Sequence, residues 1–224
     1  SNLDIASDTD YVYICENETI HGVTWPKLPD TKGHVLVSDQ SSMFLSKPCC
    51  VTDYGMIYAG VQKNVGPAGM VIVIMKEDLI PEEVDPKMPV YLKYATHADA
   101  NSGYNTPNCW SIYCCGLVIR NLLEHGGLEA IYQKNQEKAK IIYDFLDNST
   151  LFRGKVDPEF RSLMNIPFTT GNPDTDTDVV ASAVRVGLSN LKGHPSVGGL
   201  RASVYNAMPI DGARALVEFL QHYE

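Results

Sequence analysis

Four short apolar runs near the start of the chain limit its fold more than any other feature. They are "YVYIC" (11–15), "HVLVSD" (34–39), "MIYAGV" (56–61) and "MVIVIM" (70–75). The last three are continuous rather than alternating, which predicts strands buried on both faces of a covered sheet. The connections between the runs are short and hold no good crossover helix. We therefore expect some antiparallel pairing, or a sheet that further chain completes.

The periodicity becomes helical after residue 100. The segment "YNTPNCWSIYCCGLVIRNLLEHGG" (104–127) predicts a buried helix with Asn105 or Thr106 as N-cap, Pro107 in its first turn and an end at Gly126-Gly127. Residues 128–147 predict an amphipathic surface helix, because their apolar side chains share one stripe. The other predicted elements are strands at 163–170 and 201–207 and helices at 178–190 and from about 210 onward.

These patterns divide the 224 residues into two parts. Residues 1–125 carry the four apolar runs and predict part of a large α/β domain. Residues 126–224 combine helices with two or three strands and predict a small α+β domain at the C-terminus. The sequence shows no internal repeat and no low-complexity segment.

Charge and cysteine content narrow the class of protein. A net charge of −9 and a pI of about 5.1 argue against nucleic acid or an anionic membrane as a partner. No apolar run approaches the length of a membrane span, and the N-terminus lacks a signal-peptide pattern. The six cysteines match neither a zinc knuckle nor a disulfide framework. They predict reduced core residues and a reducing compartment, either the cytoplasm or a plastid or other organelle stroma.

Lys63 is the first candidate for chemistry, since it lies in "YAGVQKNVGPAG" (58–69) between two apolar runs. An apolar surrounding lowers the pKa of a lysine and makes its amine a nucleophile. The alternative is a solvated turn lysine. Asp39 ends the run 34–39, where α/β sheets present ligand-binding groups, although it could instead cap the next turn. A lysine and a carboxylate together are the minimal site for pyridoxal 5'-phosphate (PLP).

Six blocks carry a resemblance to a known family. They are "ENETIHG", "VSDQSSMFLSKP", "YAGVQKNVGPAG", "YNTPNCWSIY", "MNIPF" and "LKGHPSVGGLRASVYNAMP". In this order they resemble the phosphoserine aminotransferases, fold-type I PLP enzymes of the class-V group that act in serine biosynthesis. The resemblance covers essentially the whole chain. It implies an α/β fold, in which the C-terminal part of a large PLP-binding domain with a mixed, mainly parallel sheet precedes a small α+β domain.

The resemblance implies roles for residues around the cofactor. Lys63 would be the catalytic residue, which binds PLP as a Schiff base. Gln62 would touch the phosphate region of the cofactor, Asp39 would hold the pyridinium nitrogen, and Thr19 would hydrogen-bond the 3-oxygen of the ring.

The resemblance also implies a homodimer with shared active sites. Asn105 and Thr106 would reach the cofactor phosphate of the partner subunit, while His194 and Arg201 would bind substrate. Arg201 would grip the α-carboxylate with two hydrogen bonds. The implied reaction transfers the amino group of glutamate to 3-phosphohydroxypyruvate and gives O-phosphoserine and 2-oxoglutarate.

The chain departs from the family at two places that matter for function. The first part of the large domain, with a glycine-rich phosphate loop and an aromatic residue that stacks on the ring, has no counterpart here. Pro195 follows His194 where the family usually has an arginine that helps bind the substrate's phosphate. We therefore expect this chain alone to be inactive or weakly active. The alternatives are a non-catalytic fragment or pseudoenzyme, or an aminotransferase for a non-phosphorylated substrate.

Overall fold

A computed structural model describes residues 3–224. It contains strands and helices throughout, joined by turns and short 3₁₀ segments. The strands are β1 (Tyr11–Cys15), β2 (Asn17–Glu18), β3 (Val23–Thr24), β4 (Val35–Asp39), β5 (Met56–Gly60), β6 (Val71–Met75), β7 (Arg153–Gly154), β8 (Asn165–Thr169) and β9 (Leu200–Ser203). The helices are α1 (Tyr94–Asp99), α2 (Cys109–Glu124), α3 (Gly127–Asn148), α4 (Pro173–Arg185) and α5 (Ile210–Tyr223).

The first sheet has the order β1-β4-β5-β6 and is mainly parallel. β1 pairs with β4, and β4 with β5, in parallel, whereas β5 and β6 form an antiparallel pair. The expectation of some antiparallel pairing is therefore confirmed. Cys15 lies opposite Asp39, and Asp39 opposite Tyr58, so the carboxyl ends of three strands meet at one edge of the sheet. Parallel sheets bind ligands at this edge.

Only one face of this sheet is packed. Ile14, Leu36, Ile57 and Ala59 form its core with neighbouring side chains. The continuous apolar runs predicted burial on both faces, and this was wrong for the described chain. Val71 and Val73, from the last of those runs, are 57% and 45% exposed, because no described segment covers them; Tyr11 and Tyr13 of β1 are exposed as well.

α2 differs most from its prediction. It begins at Cys109, and its N-cap is Asn108, whose side chain accepts a hydrogen bond from Ser111 N at 3.2 Å. Asn105, Thr106 and Pro107 therefore precede the helix. The expectation of a buried helix was also wrong. Trp110, Ile112, Tyr113, Leu117, Ile119 and Leu123 are exposed on this helix.

The C-terminal part packs three helices against the antiparallel sheet β7-β8-β9. Its core includes Ile142, Phe152, Phe168, Leu200 and Leu220, all at most 1% exposed. The helix predicted over 128–147 is α3, confirmed to within one residue at each end. The predicted helix 178–190 begins earlier, at residue 173, because an asparagine N-cap and a proline open it there. The strand predicted over 201–207 ends at residue 203.

All six cysteines are free thiols, as expected. Their predicted core position holds for Cys115, which is buried, and in part for Cys15 and Cys114. It was wrong for Cys49, Cys50 and Cys109, which are exposed. No helix formed by residues 3–224 is long and apolar enough to cross a membrane. Within the same residues, no three His, Cys, Asp or Glu side chains group as metal ligands would.

Candidate active site

The turn that carries Lys63 is fixed by the core beneath it. Val61 and Val65 are 0% and 1% exposed, and the N–H groups of Val65 and Gly66 both donate to Val61 O, at 3.0 and 2.9 Å. The apolar residues of the turn thus point into the first sheet's core. Lys63 lies between them and is half-buried. The solvated-lysine alternative does not describe its environment.

The Lys63 amine lies near groups from four separate strands or adjoining turns. Its Nζ donates to Thr19 Oγ1 at 2.8 Å. Burial lowers the pKa of the amine below its ordinary value, against the opposing effect of the Asp39 carboxylate. The Arg201 guanidinium lowers this pKa further, whereas Cys15 raises it. A larger fraction of the amine is therefore neutral, and nucleophilic, than in an exposed lysine.

Asp39 caps the turn after β4 and also lies near the Lys63 amine. Its Oδ1 accepts from Ser41 N at 2.8 Å, so the turn-capping alternative also holds. Ser41 Oγ in turn accepts from Gly60 N at 3.0 Å and ties the ends of β4 and β5 together. On the same face, Tyr58 OH lies 3.0 Å from Tyr13 OH. This hydrogen bond, with burial and the nearby Asp39 carboxylate, raises the pKa of Tyr58.

Arg201 brings a cation from the second sheet to the same point. It lies on β9, opposite Pro167 of β8, and its Nη1 donates to Thr19 O at 3.2 Å. Thr19 therefore contacts Lys63 through its hydroxyl and Arg201 through its carbonyl. His194 lies in the loop before β9, half-buried, with Nδ1 2.7 Å from Ser196 Oγ. The next residue, Pro195, is exposed.

The other residues predicted for the site, Gln62, Asn105 and Thr106, are exposed and, within residues 3–224, have no hydrogen bond with the Lys63 amine. Gln62 is exposed and folds back over the end of β5, where its Oε1 would lie 2.7 Å from a Cβ on Gly60. Asn105 and Thr106 are exposed and precede α2, and Asn105 Nδ2 donates to Thr106 O at 3.2 Å. Among the described residues, neither has a hydrogen bond with Lys63, Asp39 or Thr19. The structure thus gathers Thr19, Asp39, Lys63 and Arg201 and leaves the asparagine-threonine pair outside.

Two neighbours of the site were missed in the sequence. Cys15 ends β1 in register with Asp39, and burial together with the carboxylates of Asp39 and Glu18 raises the pKa of its thiol. Pairing β1 with β4 in parallel would have found it. Asn64 follows Lys63 directly and is 7% exposed. Its burial had no sequence signal, because asparagine is common in exposed turns.

Comparisons with known proteins agree with this arrangement. The family model Aminotransferase class-V matches residues 2–216. Over 220 residues, the chain is 48% identical to phosphoserine aminotransferase of Haemophilus ducreyi, an alignment that covers 98% of this chain and 60% of the relative.

Solved structures show the same likeness. Phosphoserine aminotransferase from Bacillus circulans subsp. alkalophilus has a TM-score of 0.95 and 42% identity, over 98% of this chain and 61% of that one. PLP-bound phosphoserine aminotransferase from Trichomonas vaginalis has a TM-score of 0.92 and 38% identity, over 97% of this chain and 62% of that one.

The chain spans about 60% of the length of these relatives. Within that span, the sheet with a mixed and mainly parallel order and the C-terminal α+β unit follow the fold-type I aminotransferase structures. The family match covers nearly the whole chain, and the lysine, carboxylate and hydroxyl described above lie inside it. This chain belongs to the class-V aminotransferase family.

Proposed function

We propose that this chain is the lysine-bearing part of a phosphoserine aminotransferase. The reaction transfers the amino group of glutamate to 3-phosphohydroxypyruvate and yields O-phosphoserine and 2-oxoglutarate. One observation carries the proposal. The half-buried Lys63 amine, with a lowered pKa, lies 2.8 Å from a hydroxyl and close to a carboxylate and a guanidinium, in a chain similar throughout to phosphoserine aminotransferases.

The chemistry of these side chains fits PLP. An amine suits an aldehyde, a carboxylate suits a basic ring nitrogen, and a hydroxyl suits the 3-oxygen of the ring; Lys63, Asp39 and Thr19 would take these roles. Gln62, with Asn105 and Thr106 of a partner subunit, would serve the phosphate. When bound, PLP supplies an electrophilic carbon for an amine and a ring that accepts an electron pair.

The chain's own residues would then handle protons and charge. Lys63 Nζ, neutral more often than an ordinary lysine, takes the proton from the substrate's Cα. The Asp39 carboxylate holds a proton at the ring nitrogen. Arg201 receives the α-carboxylate through its guanidinium fork, and His194 contacts the substrate from the loop before β9.

A division into two domains goes with this function. Residues 1–125 would form part of the large PLP-binding domain, and residues 126–224 the small C-terminal domain. Two separate apolar clusters, one in each part, support this division. Polar bonds connect the parts: Asn17 Nδ2 donates to Asn165 Oδ1 at 3.0 Å, and Ser162 Oγ donates to Asn17 Oδ1. The substrate would bind near this junction, because Lys63 and Arg201 come from opposite sides of it.

A homodimer with shared active sites is the second part of the proposal. Asn105 and Thr106 are exposed and could reach a neighbouring subunit. The helix that follows them, α2, exposes apolar side chains, since Trp110 and Tyr113 are 68% and 61% exposed. The six free thiols support a reducing compartment, the cytoplasm or a plastid or other organelle stroma.

Mapping the lysine that reacts with PLP tests the proposed function. The chain is mixed with PLP, reduced with borohydride and digested, and modified peptides are identified by mass. We expect the pyridoxyl group on Lys63, and its loss in Lys63→Arg. Lys76, an exposed lysine just after β6, is the internal control. Preferential modification of Lys76 or of Lys47 would contradict the assignment.

One observation favours a second candidate function. Pro195 is exposed where the resemblance implies an arginine for the substrate's phosphate. An aminotransferase for a non-phosphorylated substrate would not need that charge. Both candidates use the same lysine, so the labelling experiment does not separate them, whereas substrate affinity does.

A further inference from the structure

The residue after Lys63 is anchored to the C-terminal part of the chain. Asn64 Oδ1 accepts a hydrogen bond from Asn206 N at 2.9 Å, and its Nδ2 lies 3.8 Å from Met164 Sδ. Asn64 is 7% exposed, whereas Lys63 is half-buried in the candidate site. The two neighbouring side chains therefore point to different places. Lys63 points into the candidate site, and Asn64 points into the junction between the two sheets.

The partner of Asn64 is itself held firmly. The Asn206 side chain donates to Leu45 O at 2.8 Å and accepts from Asn135 Nδ2 at 2.9 Å. Asn135 is fully buried on α3 and also donates to Ser46 O at 3.0 Å. The Asn64 amide therefore ties the lysine's turn to a backbone segment that α3 and residues 45–46 fix in place.

We propose that Asn64 is a positioning residue for Lys63, holding the turn so that the amine stays half-buried beside Thr19 and Asp39. The proposal rests on the proposed function, in which Lys63 is the reacting amine. Asn64 would act through the backbone of the turn, because its amide bonds to Asn206 N on the side of the junction. Its loss would leave the Asn206 N–H without its acceptor and let the turn move toward solvent.

The effect of such a movement on the pKa of Lys63 depends on the groups that face its amine. They come from four strands and an adjoining turn: Cys15 at the end of β1, Glu18 at the end of β2 with Thr19 just after it, Asp39 on β4 and Arg201 on β9. Burial is the largest influence on the pKa of the amine, and it lowers this pKa. A turn freed toward solvent regains hydration of the ammonium, so the pKa rises toward its ordinary value. The amine is then less reactive near neutral pH.

The test is the pH profile of aldehyde labelling at Lys63. The 224-residue chain is treated with PLP and cyanoborohydride over a pH series, and modification of Lys63 relative to Lys76 is quantified by peptide mass. In Asn64→Ala we expect the Lys63 profile to shift to higher pH and labelling near neutral pH to fall several-fold. Labelling of Lys76 should not change.

Two control variants isolate the Asn206 bond. Met164→Leu removes only the weak contact of the Asn64 amide with sulfur and should leave the profile as in the wild type. Asn148→Ala removes an exposed asparagine, whose bond to Asp144 O lies on the far part of α3, and should do the same. A shift of the same size in either control would overturn the positioning role.

A lowered thermal stability of Asn64→Ala with an unshifted profile would also overturn it, because the amide would then be merely structural. If Asn64→Ala fails to fold, Asn206→Ala replaces it. This variant keeps the backbone N–H but loses the side chain's bonds to Leu45 and Asn135, so it should shift the profile in the same direction by less. No shift there overturns the proposal. A wild-type Lys63 that reacts no faster than Lys76 overturns the proposed function, and the positioning role with it.

Discussion

Lys138 is a buried lysine in a helix whose apolar pattern predicted that its lysines are exposed. The apolar stripe of α3 placed Lys138 among the polar residues of a surface helix, yet it is 1% exposed. Its Nζ donates to Val204 O at 3.0 Å and to Tyr205 O at 2.8 Å. These two carbonyls come directly after β9, which ends at Ser203. Burial lowers the pKa of Lys138 to about 8.

This lowered pKa predicts a pH dependence of stability. Below pH 8 the amine is protonated in both states. Between 8 and the ordinary value of 10.5 the unfolded chain binds more protons, so the free energy of unfolding rises with pH. We expect the wild type to gain on the order of 2 kcal/mol relative to Lys138→Met between about pH 8 and 10. Urea unfolding at each pH measures the difference, and a constant difference would contradict the prediction.

Pro195 carries the other prediction at the residue scale. A charge-assisted contact to a phosphate is worth about 1.5–3 kcal/mol, or roughly 10- to 150-fold in binding. In a complete version of the protein, Pro195→Arg should tighten binding of 3-phosphohydroxypyruvate by a factor within this range. Glutamate lacks a phosphate, so its affinity should change less. Equal changes for both substrates, measured by titration, would show that position 195 does not contact the phosphate.

Among the elements, α4 depends most visibly on a local signal. The Asn172 side chain accepts from Asp174 N at 2.9 Å and from Thr175 N at 3.2 Å, and Pro173 occupies the first turn. Asn172→Ala should lower the free energy of unfolding by about 1 kcal/mol, because two N–H groups lose their acceptor. Asn172→Ser retains a capping oxygen and should lose less. The urea midpoints of the wild type and the two variants test this prediction. Equal losses of stability in both variants would argue against the cap.

At the scale of the whole molecule, the main feature is the amount of apolar surface that is exposed to solvent. Trp110 and Leu123 on α2 are 68% and 71% exposed, and Val71 on the edge strand β6 is 57% exposed. The chain spans about 60% of the length of the relatives it matches. Weak binding of PLP and low activity of this chain alone stay predictions.

Such surface predicts self-association of the chain in solution. Leu123→Glu should lower the mean mass of the associated species, because it places a charge on the exposed face of α2. Val186→Glu is the matched control, since Val186 is 64% exposed but follows α4 in the C-terminal part. Light scattering at several concentrations measures the effect. An equal response to both substitutions would mean that α2 is not the associating surface.

The sequence by itself determined the elements whose signals are local. The four early strands and α3 lie within one residue of their apolar patterns, because short runs and a helical stripe record side chains that pack locally. It also singled out Lys63 and Asp39 as candidates, because Asp39 ends one strand and Lys63 lies in the turn after the next. Asn172 and Pro173 carried the true start of α4, although the apolar pattern alone placed the helix later.

Tertiary structure alone decided which surfaces are covered and which distant residues meet. One face of the first sheet and most of α2 are open, because coverage depends on segments far away in the chain rather than on the strand's own letters. The Thr19 contact with Lys63 joins residues 44 apart, and the Asn64 contact with Asn206 joins residues 142 apart. The sequence does not show whether an asparagine or a threonine is solvated or forms a hydrogen bond across a junction. Only the folded chain brings a buried partner within hydrogen-bonding distance, and that proximity fixes the surroundings of the lysine.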